Sequence, residues 1–163
     1  MLAIIHAELV MRDHLIPEAV IFTEDGVITG FGEMRSTPIP EGCEVIDAKG
    51  AYVGPGLVDI HCHAGDGLRY HQDPIHAATY HLKHGTTDVS GSKLTLNVAC
   101  RNWMKHTGAS IVDAFRCASY TPAKAAGFTD RGEIAVGKRA DLIITDHKMN
   151  ISTVILNGNI VNR

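Results

Sequence analysis

The part of the chain that says most about its fold is Val53-Gly-Pro-Gly-Leu-Val-Asp-Ile-His-Cys-His63. Residues 56–61 are almost continuously apolar, which is the pattern of a parallel strand covered on both faces. Asp59, His61 and His63 stand at alternate positions where this strand ends, and a side-chain period of two directs all three to one side. Two imidazoles in that arrangement can bind one divalent metal ion, so we interpret His61 and His63 as candidate metal ligands.

The competing interpretation is that His61 and His63 are polar loop residues, because two histidines one residue apart are common by chance. Their position at the end of an apolar strand favours the metal interpretation. The other histidines are isolated or lie along a predicted helix, and we interpret them as structural: His6, His14, His71, His76, His81, His84, His106 and His147.

A helix and a second strand follow this segment. Asp73 is a predicted N-cap, Pro74 suits the first helical position, and Gly85 ends the helix. Residues 86–89 form a second short strand, and a β-α-β unit of this length fits either a barrel or a doubly wound sheet. Further helices are predicted to begin after Thr95, Ser110 and Tyr120.

Both ends of the chain have the pattern of β-structure. Asp25-Gly26 separates β-branched runs at 19–23 and 27–31, and Asn157-Gly158 separates 153–156 from 159–161. Two-residue hairpin turns favour these dipeptides because both central positions need a positive φ. We predict a hairpin at each end, and we expect the ends to fold together, with the C-terminal hairpin pairing against strands from residues 1–53.

Composition and charge exclude several classes of function. The net charge of -3 and the lack of a Lys/Arg-rich run argue against a nucleic-acid partner. The apolar stretch at the N-terminus is interrupted by His6 and Glu8, so it is too short and too charged for a signal peptide or membrane span. We therefore expect a cytoplasmic protein with no membrane partner. The cysteines form no CxxC pair, which favours buried thiols over disulfides or zinc ligands: Cys43, Cys62, Cys100 and Cys117.

The segment 53–63 closely resembles the first barrel strand of amidohydrolases. Residues 132–145, Gly-Glu-Ile-Ala-Val-Gly-Lys-Arg-Ala-Asp-Leu-Ile-Ile-Thr, are similar to the closing strand segment of the companion β-sandwich in that superfamily. Within the superfamily, the chain most resembles the N-acetylglucosamine-6-phosphate deacetylase family, in residues 79–87, 91–108 and 118–127.

This resemblance implies an α+β fold. Residues 1–53 and 132–163 would build a composite β-sandwich, and residues 54–131 a truncated remnant of a metal-dependent (β/α)8 barrel. The resemblance also implies a divalent metal of the zinc or iron class at His61 and His63, and substrate contacts from Ser90 and Gly91. The ligand in the family is an amino-sugar phosphate, whose acetamide is hydrolysed.

The remnant is much shorter than the barrel of the family. A complete barrel takes about 250 residues, so roughly 180 are absent, with the apparent junction between Thr87 and Gly91. The family's further metal ligands and its general-base Asp have no counterpart here. We therefore assign no catalytic residue, and we expect a chain that is inactive by itself and has low metal occupancy.

Two other functions stay open at this point: a non-catalytic β-sandwich used in assembly, and a different amidohydrolase of the dihydroorotase or amino-acylase kind. Residues 91–127 favour the deacetylase family over the latter. The short remnant also predicts a homo-oligomer, because Leu57, Val58 and Ile60 are expected to lack the elements that cover them in a complete barrel.

Overall fold

The structure is a computed structural model, and it describes residues 1–60, 64–65, 68–69, 72–88 and 95–162. Strands alternate with turns at both ends of the chain, and the helices lie between them. In chain order, the elements of the described part are β1 (Leu2–Val10), β2 (Leu15–Glu24), β3 (Val27–Glu33), β4 (Glu44–Asp47), β5 (Tyr52–Pro55), β6 (Leu57–Val58), β7 (Ala64–Gly65), β8 (Leu68–Arg69), α1 (Pro74–Lys83), β9 (Thr86–Asp88), α2 (Leu96–Thr107), α3 (Ile111–Phe115), α4 (Thr121–Ala125), β10 (Leu142–Thr145), β11 (Ile151–Leu156) and β12 (Asn159–Asn162).

One eight-stranded sheet contains strands from both chain ends, in the order β12-β11-β10-β5-β1-β2-β3, with β4 also paired to β1. One edge of β1 contacts β2, and the other contacts β4 along its first half and β5 along its second half. The ends meet where β5 and β10 pair antiparallel, with Pro55 opposite Leu142. The mixed α+β class is confirmed, and so is the joining of the two ends. The arrangement as a sandwich, and the domain boundaries at 53/54 and 131/132, stay predictions.

The two predicted hairpins are confirmed as β2–β3 and β11–β12. Each turn has two residues with positive φ, Asp25 and Gly26 in one and Asn157 and Gly158 in the other. The turns are tied through Ala140, which donates to the Gly26 carbonyl at 2.7 Å and accepts from the Gly158 amide at 2.9 Å. The direct pairing of the second hairpin with strands of residues 1–53 was wrong, because β10 lies between them and supplies the bonded edge.

The sheet is apolar on both faces, and β10 shows this most clearly. Leu142 and Ile144 belong to one buried cluster and Ile143 to another, as the two-residue period of a strand requires. The first cluster, which we call the sheet core, draws only on strands and loops of the two chain ends. The second, which we call the shared core, joins Ile143 to side chains of the inserted helices and β6.

The inserted segment begins with β6, which pairs in parallel with β9, Leu57 lying opposite Thr86. The predicted parallel pair is therefore confirmed, although β6 is only two residues long where we expected residues 56–61. Leu57 and Val58 are 0% and 2% exposed within the single chain, so the expectation that they lack cover was wrong. Leu57 is covered by the inserted helices together with the sheet face that carries Ile143. Ile60 is 51% exposed, as anticipated.

The helices follow their sequence signals in most places. Asp73 caps α1 by accepting from the His76 amide, and Ser110 and Asp113 form a reciprocal capping box at the start of α3. The predicted helix start at Thr121 is confirmed as the first residue of α4, although no break separates α4 from the preceding helix. Arg116–Tyr120 form a π-helical turn that carries α3 directly into α4, with the Thr121 amide donating to the Arg116 carbonyl.

The helices approach the sheet most closely at Gly54 in β5. A Cβ placed on Gly54 would lie 2.3 Å from the nearest ring carbon of Phe115 in α3, a distance that real Cβ contacts do not adopt. The side chain of Phe115 is 2% exposed. A glycine is therefore required where the helix layer rests on the sheet.

Candidate functional site

The predicted site residues fall outside the part of the chain that the structure describes. These are the candidate metal ligands His61 and His63 and the candidate substrate contacts Ser90 and Gly91. Their roles stay predictions. The described residues that precede them in the sequence, in β6 and β9, show where the two segments begin.

The strands that precede the two predicted groups are neighbours. The segment with His61 and His63 follows β6 in sequence, and the segment with Ser90 and Gly91 follows β9. Because β6 and β9 are parallel, the chain leaves both at the same edge of this small sheet. Parallel sheets with helical crossovers bind ligands at the carboxyl ends of their strands. The described backbone is therefore compatible with a shared site at that edge.

Three polar side chains of the inserted segment are buried, namely His81, Thr86 and Asn97. His81 of α1 is 0% exposed and makes an edge-on ring contact with Tyr80, at a centroid distance of 5.8 Å. Thr86, at the start of β9, is also 0% exposed, and among the described residues its hydroxyl has no hydrogen-bond partner. Asn97 of α2 donates to the Met149 carbonyl at 3.1 Å and ties the helix to the loop after β10.

The donor set decides whether a metal ion fits. Imidazole nitrogen is a ligand that zinc and iron accept, so His61 and His63 fit the expected ion by residue type. Two ligands fill half of a tetrahedral shell. Within the described ranges, no group of three or more His, Cys, Asp or Glu residues could hold a metal ion.

The described cysteines are reduced. Burial, and next the nearby Cys117, raise the pKa of the Cys100 thiol to about 12. Cys100 is therefore a protonated core side chain at neutral pH rather than a nucleophile or metal ligand. Cys117 is exposed and Cys43 is half-buried, so the prediction of buried thiols holds for Cys100 and was wrong for Cys117.

The sheet carries a concave region that the sequence did not indicate. It is a groove of about 480 Å³ lined by His6, Pro17, Glu18, Glu33, Met34 and Arg35. We interpreted His6 as isolated from sequence alone, yet its Nδ1 lies 3.0 Å from an Asp47 carboxylate oxygen. The pairing of β1 with β4 creates this contact. The two residues are 41 positions apart in the sequence, and no local pattern predicts a parallel pairing over that separation.

Comparison with known sequences gives partial matches. The amidohydrolase family pattern matches residues 86–161. A dihydroorotase of Ruminiclostridium cellulolyticum is 45% identical over 71 residues, which is 43% of this chain and 16% of that protein. The N-acetylglucosamine-6-phosphate deacetylase of Rattus norvegicus is 30% identical over 78 residues, 47% of this chain and 19% of that protein. The matched region thus spans less than a fifth of the length of either relative.

Comparison with solved structures covers almost the whole chain. The N-acetylglucosamine-6-phosphate deacetylase of Pasteurella multocida superimposes with a TM-score of 0.86 at 10% identity, covering 99% of this chain and 100% of that one. The corresponding enzyme of Mycobacterium smegmatis gives a TM-score of 0.80 at 13% identity, with the same coverage. At this identity the likeness concerns the fold. No helix in the described ranges is long and apolar enough to cross a membrane.

Proposed function

We propose that the chain is a member of the amidohydrolase superfamily, and specifically a deacetylase-type scaffold whose shortened barrel does not hydrolyse substrate by itself. The superfamily hydrolyses carbon–nitrogen bonds and generally uses divalent metals. In this proposal, the chain has the fold of the superfamily but lacks its catalytic activity.

The observation that carries the proposal is the direct pairing of β5 with β10. The chain leaves this pair of strands after Pro55 and re-enters it at Leu142, and these two residues are opposite each other in the register. Under this proposal, the inserted segment is the barrel remnant of residues 54–131, where a complete (β/α)8 barrel takes about 250 residues. A sheet that closes over so short an insertion supports a folded scaffold rather than an interrupted one.

The chemistry of the superfamily supports the inactive half of the proposal. His61 and His63 would supply two of the ligands of a divalent ion, whose chemistry in such a site would be the activation of water. A positioned base would also be needed to accept the proton of that water. No carboxylate of this chain corresponds to the general base of the resembled family.

The substrate class that we propose is the amino-sugar phosphate. The solved structures that superimpose on nearly the entire chain include several N-acetylglucosamine-6-phosphate deacetylases, and residues 91–127 resemble that family in sequence. A dihydroorotase-type origin is the second candidate, and the 45% identity to the Ruminiclostridium protein supports it. The two candidates differ in the ring and bond attacked, so they can be assayed side by side.

The test is a paired activity assay on the purified chain with added zinc or iron(II). We expect no acetate release from N-acetylglucosamine 6-phosphate and no turnover of dihydroorotate above a protein-free blank. A complete deacetylase run in parallel shows that the assay detects acetate. Acetate release that His61→Ala abolishes would contradict the proposal. Dihydroorotate turnover would also contradict it, and would identify an active enzyme of the dihydroorotase type.

Metal binding gives an independent readout. We propose weak binding at His61 and His63, because water would have to complete the shell. Elemental analysis after purification without chelators should find well under one zinc per chain. Stoichiometric zinc that is lost in His63→Ala would show a complete site, formed by ligands from elsewhere in the chain or from a second copy.

We also propose that the chain self-associates through the inserted segment. Its described residues include Ile60, 51% exposed, and Ile75, 79% exposed. Large exposed apolar side chains are common at interfaces. Light scattering at micromolar concentration should give at least twice the chain mass of 17.6 kDa, and Ile75→Glu should lower it. Val136→Glu is the control, since Val136 is 64% exposed but lies outside the insertion's helices and strands.

A further inference from the structure

The groove between β1, β2 and the 3₁₀ turn at Met34–Ser36 has the features of a ligand site. We propose that it binds a small molecule carrying a primary ammonium group beside oxygen acceptors, as amino sugars and α-amino acids do. Its volume of about 480 Å³ lies within the range of small-molecule pockets. The proposal rests on the sheet alone, so it stands or falls independently of the proposed function.

The backbone on both sides of the groove is strained. His6 has φ 49° and Glu18 has φ 44°, left-handed values that non-glycine residues seldom adopt. Both lie where the β1–β2 register shifts, His6 between the paired residues Ile4 and Ala7, and Glu18 opposite the next shift. Residues in this conformation are concentrated at binding and catalytic sites. Two of them line one groove.

His6 is held in a defined orientation. Its backbone amide donates to the Met34 sulfur at 3.1 Å, and its Nδ1 lies 3.0 Å from Asp47 Oδ1. The Lys49 amide, and next the His6 ring, lower the pKa of Asp47, so this carboxylate is ionised and accepts the Nδ1 hydrogen. Nε2 is therefore the ring nitrogen that remains for a ligand, and it accepts a hydrogen bond when the ring is neutral.

The charges of the groove select the ligand class. Among the described residues, the Glu18 carboxylate has no ion pair, and its side chain is exposed. Glu33 accepts from Arg35 Nε at 2.5 Å, which compensates its charge and leaves the other guanidinium N–H groups to donate elsewhere. The uncompensated charge is thus Glu18, which favours a cation. Arg35 can donate to neighbouring oxygen atoms, and His6 Nε2 can accept from an ammonium or hydroxyl group. Pro17 and Met34 supply apolar surface.

The test is a titration of the full chain, followed by NMR of the His6 ring and the backbone amides of residues 16–19. D-glucosamine and L-alanine represent the two sources of the ammonium group, and N-acetyl-D-glucosamine is the control that lacks it. We expect saturable shifts with one or both amines and none with the acetylated sugar. Saturation with glucosamine alone would identify an amino sugar, and saturation with alanine alone an amino acid.

Two variants sharpen the result. Glu18→Gln should weaken amine binding at least about threefold through loss of the ion pair, and Glu24→Gln, at the far end of the same strand, should not change it. Glu18→Gly should abolish binding while leaving the melting temperature unchanged or raised, because glycine adopts a positive φ without strain. Equal binding of the acetylated sugar, or no saturation by either amine at 50 mM (roughly the weakest range for such exposed ion pairs), would overturn the proposal.

Discussion

The sheet and the inserted segment are built in different ways. β1 and β2 are nine and ten residues long and are linked to neighbours on both edges, whereas β6 is two residues long and β9 is three. The sheet core is assembled from the two chain ends without the insertion, whereas the shared core depends on Ile143, Val154 and other side chains of the sheet. The difference indicates that the inserted segment depends on the sheet for one wall of its core, whereas the sheet core does not depend on the inserted segment.

A pair of neighbouring substitutions in β10 tests this division most strongly. Ile143→Ala removes a side chain from the shared core and Ile144→Ala removes one from the sheet core, and each should cost about 2–5 kcal/mol of unfolding free energy. Hydrogen exchange should separate them. Ile143→Ala should accelerate exchange chiefly in α2 and α3, and Ile144→Ala in β1, β2 and β5. The same exchange pattern in both variants would mean that the two cores unfold as one.

The contact between the two regions can be tested at Gly54. Gly54→Ala places a methyl group against the Phe115 ring and should cost about 1–3 kcal/mol, measured by urea unfolding. Gly30→Ala is the matched control, because its Cβ would meet only an ordinary contact at 3.5 Å and its strand gains an Ala.

A double substitution then checks the cause. Phe115→Leu combined with Gly54→Ala should cost less than the two single changes added together, since the smaller side chain removes the clash. Additive costs would show that Gly54 is needed for its backbone and not for the approach of Phe115.

The sequence predicted the features that depend on neighbouring residues. The Asp25-Gly26 and Asn157-Gly158 hairpins, the Asp73 cap and the Ser110 capping box are encoded within four residues and are confirmed. The parallel pair β6–β9 was also predicted, because the sequence indicates two strands joined by one helix.

Features that depend on distant contacts were not predicted. The parallel pairing of β1 with both β4 and β5, the cover over Leu57 and the continuous helix across Thr121 all arise from tertiary packing. For the candidate site, the residue types and the order of the preceding strands could be predicted. The meeting of His61 and His63 with Ser90 and Gly91 stays a prediction, since side chains from two loops converge only through the fold around them.

The smallest expected effect concerns the cap of α3. Ser110→Ala should cost about 1 kcal/mol, and Ser110→Thr, which keeps the hydroxyl, much less. The Ser110 hydroxyl, and next its amide, lower the pKa of Asp113 below 3.8. A lowered carboxyl pKa stabilises the fold above the unfolded value and ceases to do so as the pH falls through the folded value. Thermal melts should therefore show the Ser110→Ala deficit above pH 4 and a smaller one at lower pH.

Native-state hydrogen exchange at the junction of β5 and β10 tests the central claim most directly, namely that the two chain ends form one sheet. The register pairs Val53 with Ile144 and Tyr52 with Thr145. We predict that the amides bonded between these strands exchange as slowly as those between β1 and β2, at the rate of global unfolding. Fast exchange in β10, with slow exchange kept in β1 and β2, would show that the chain ends fold separately and would contradict the account.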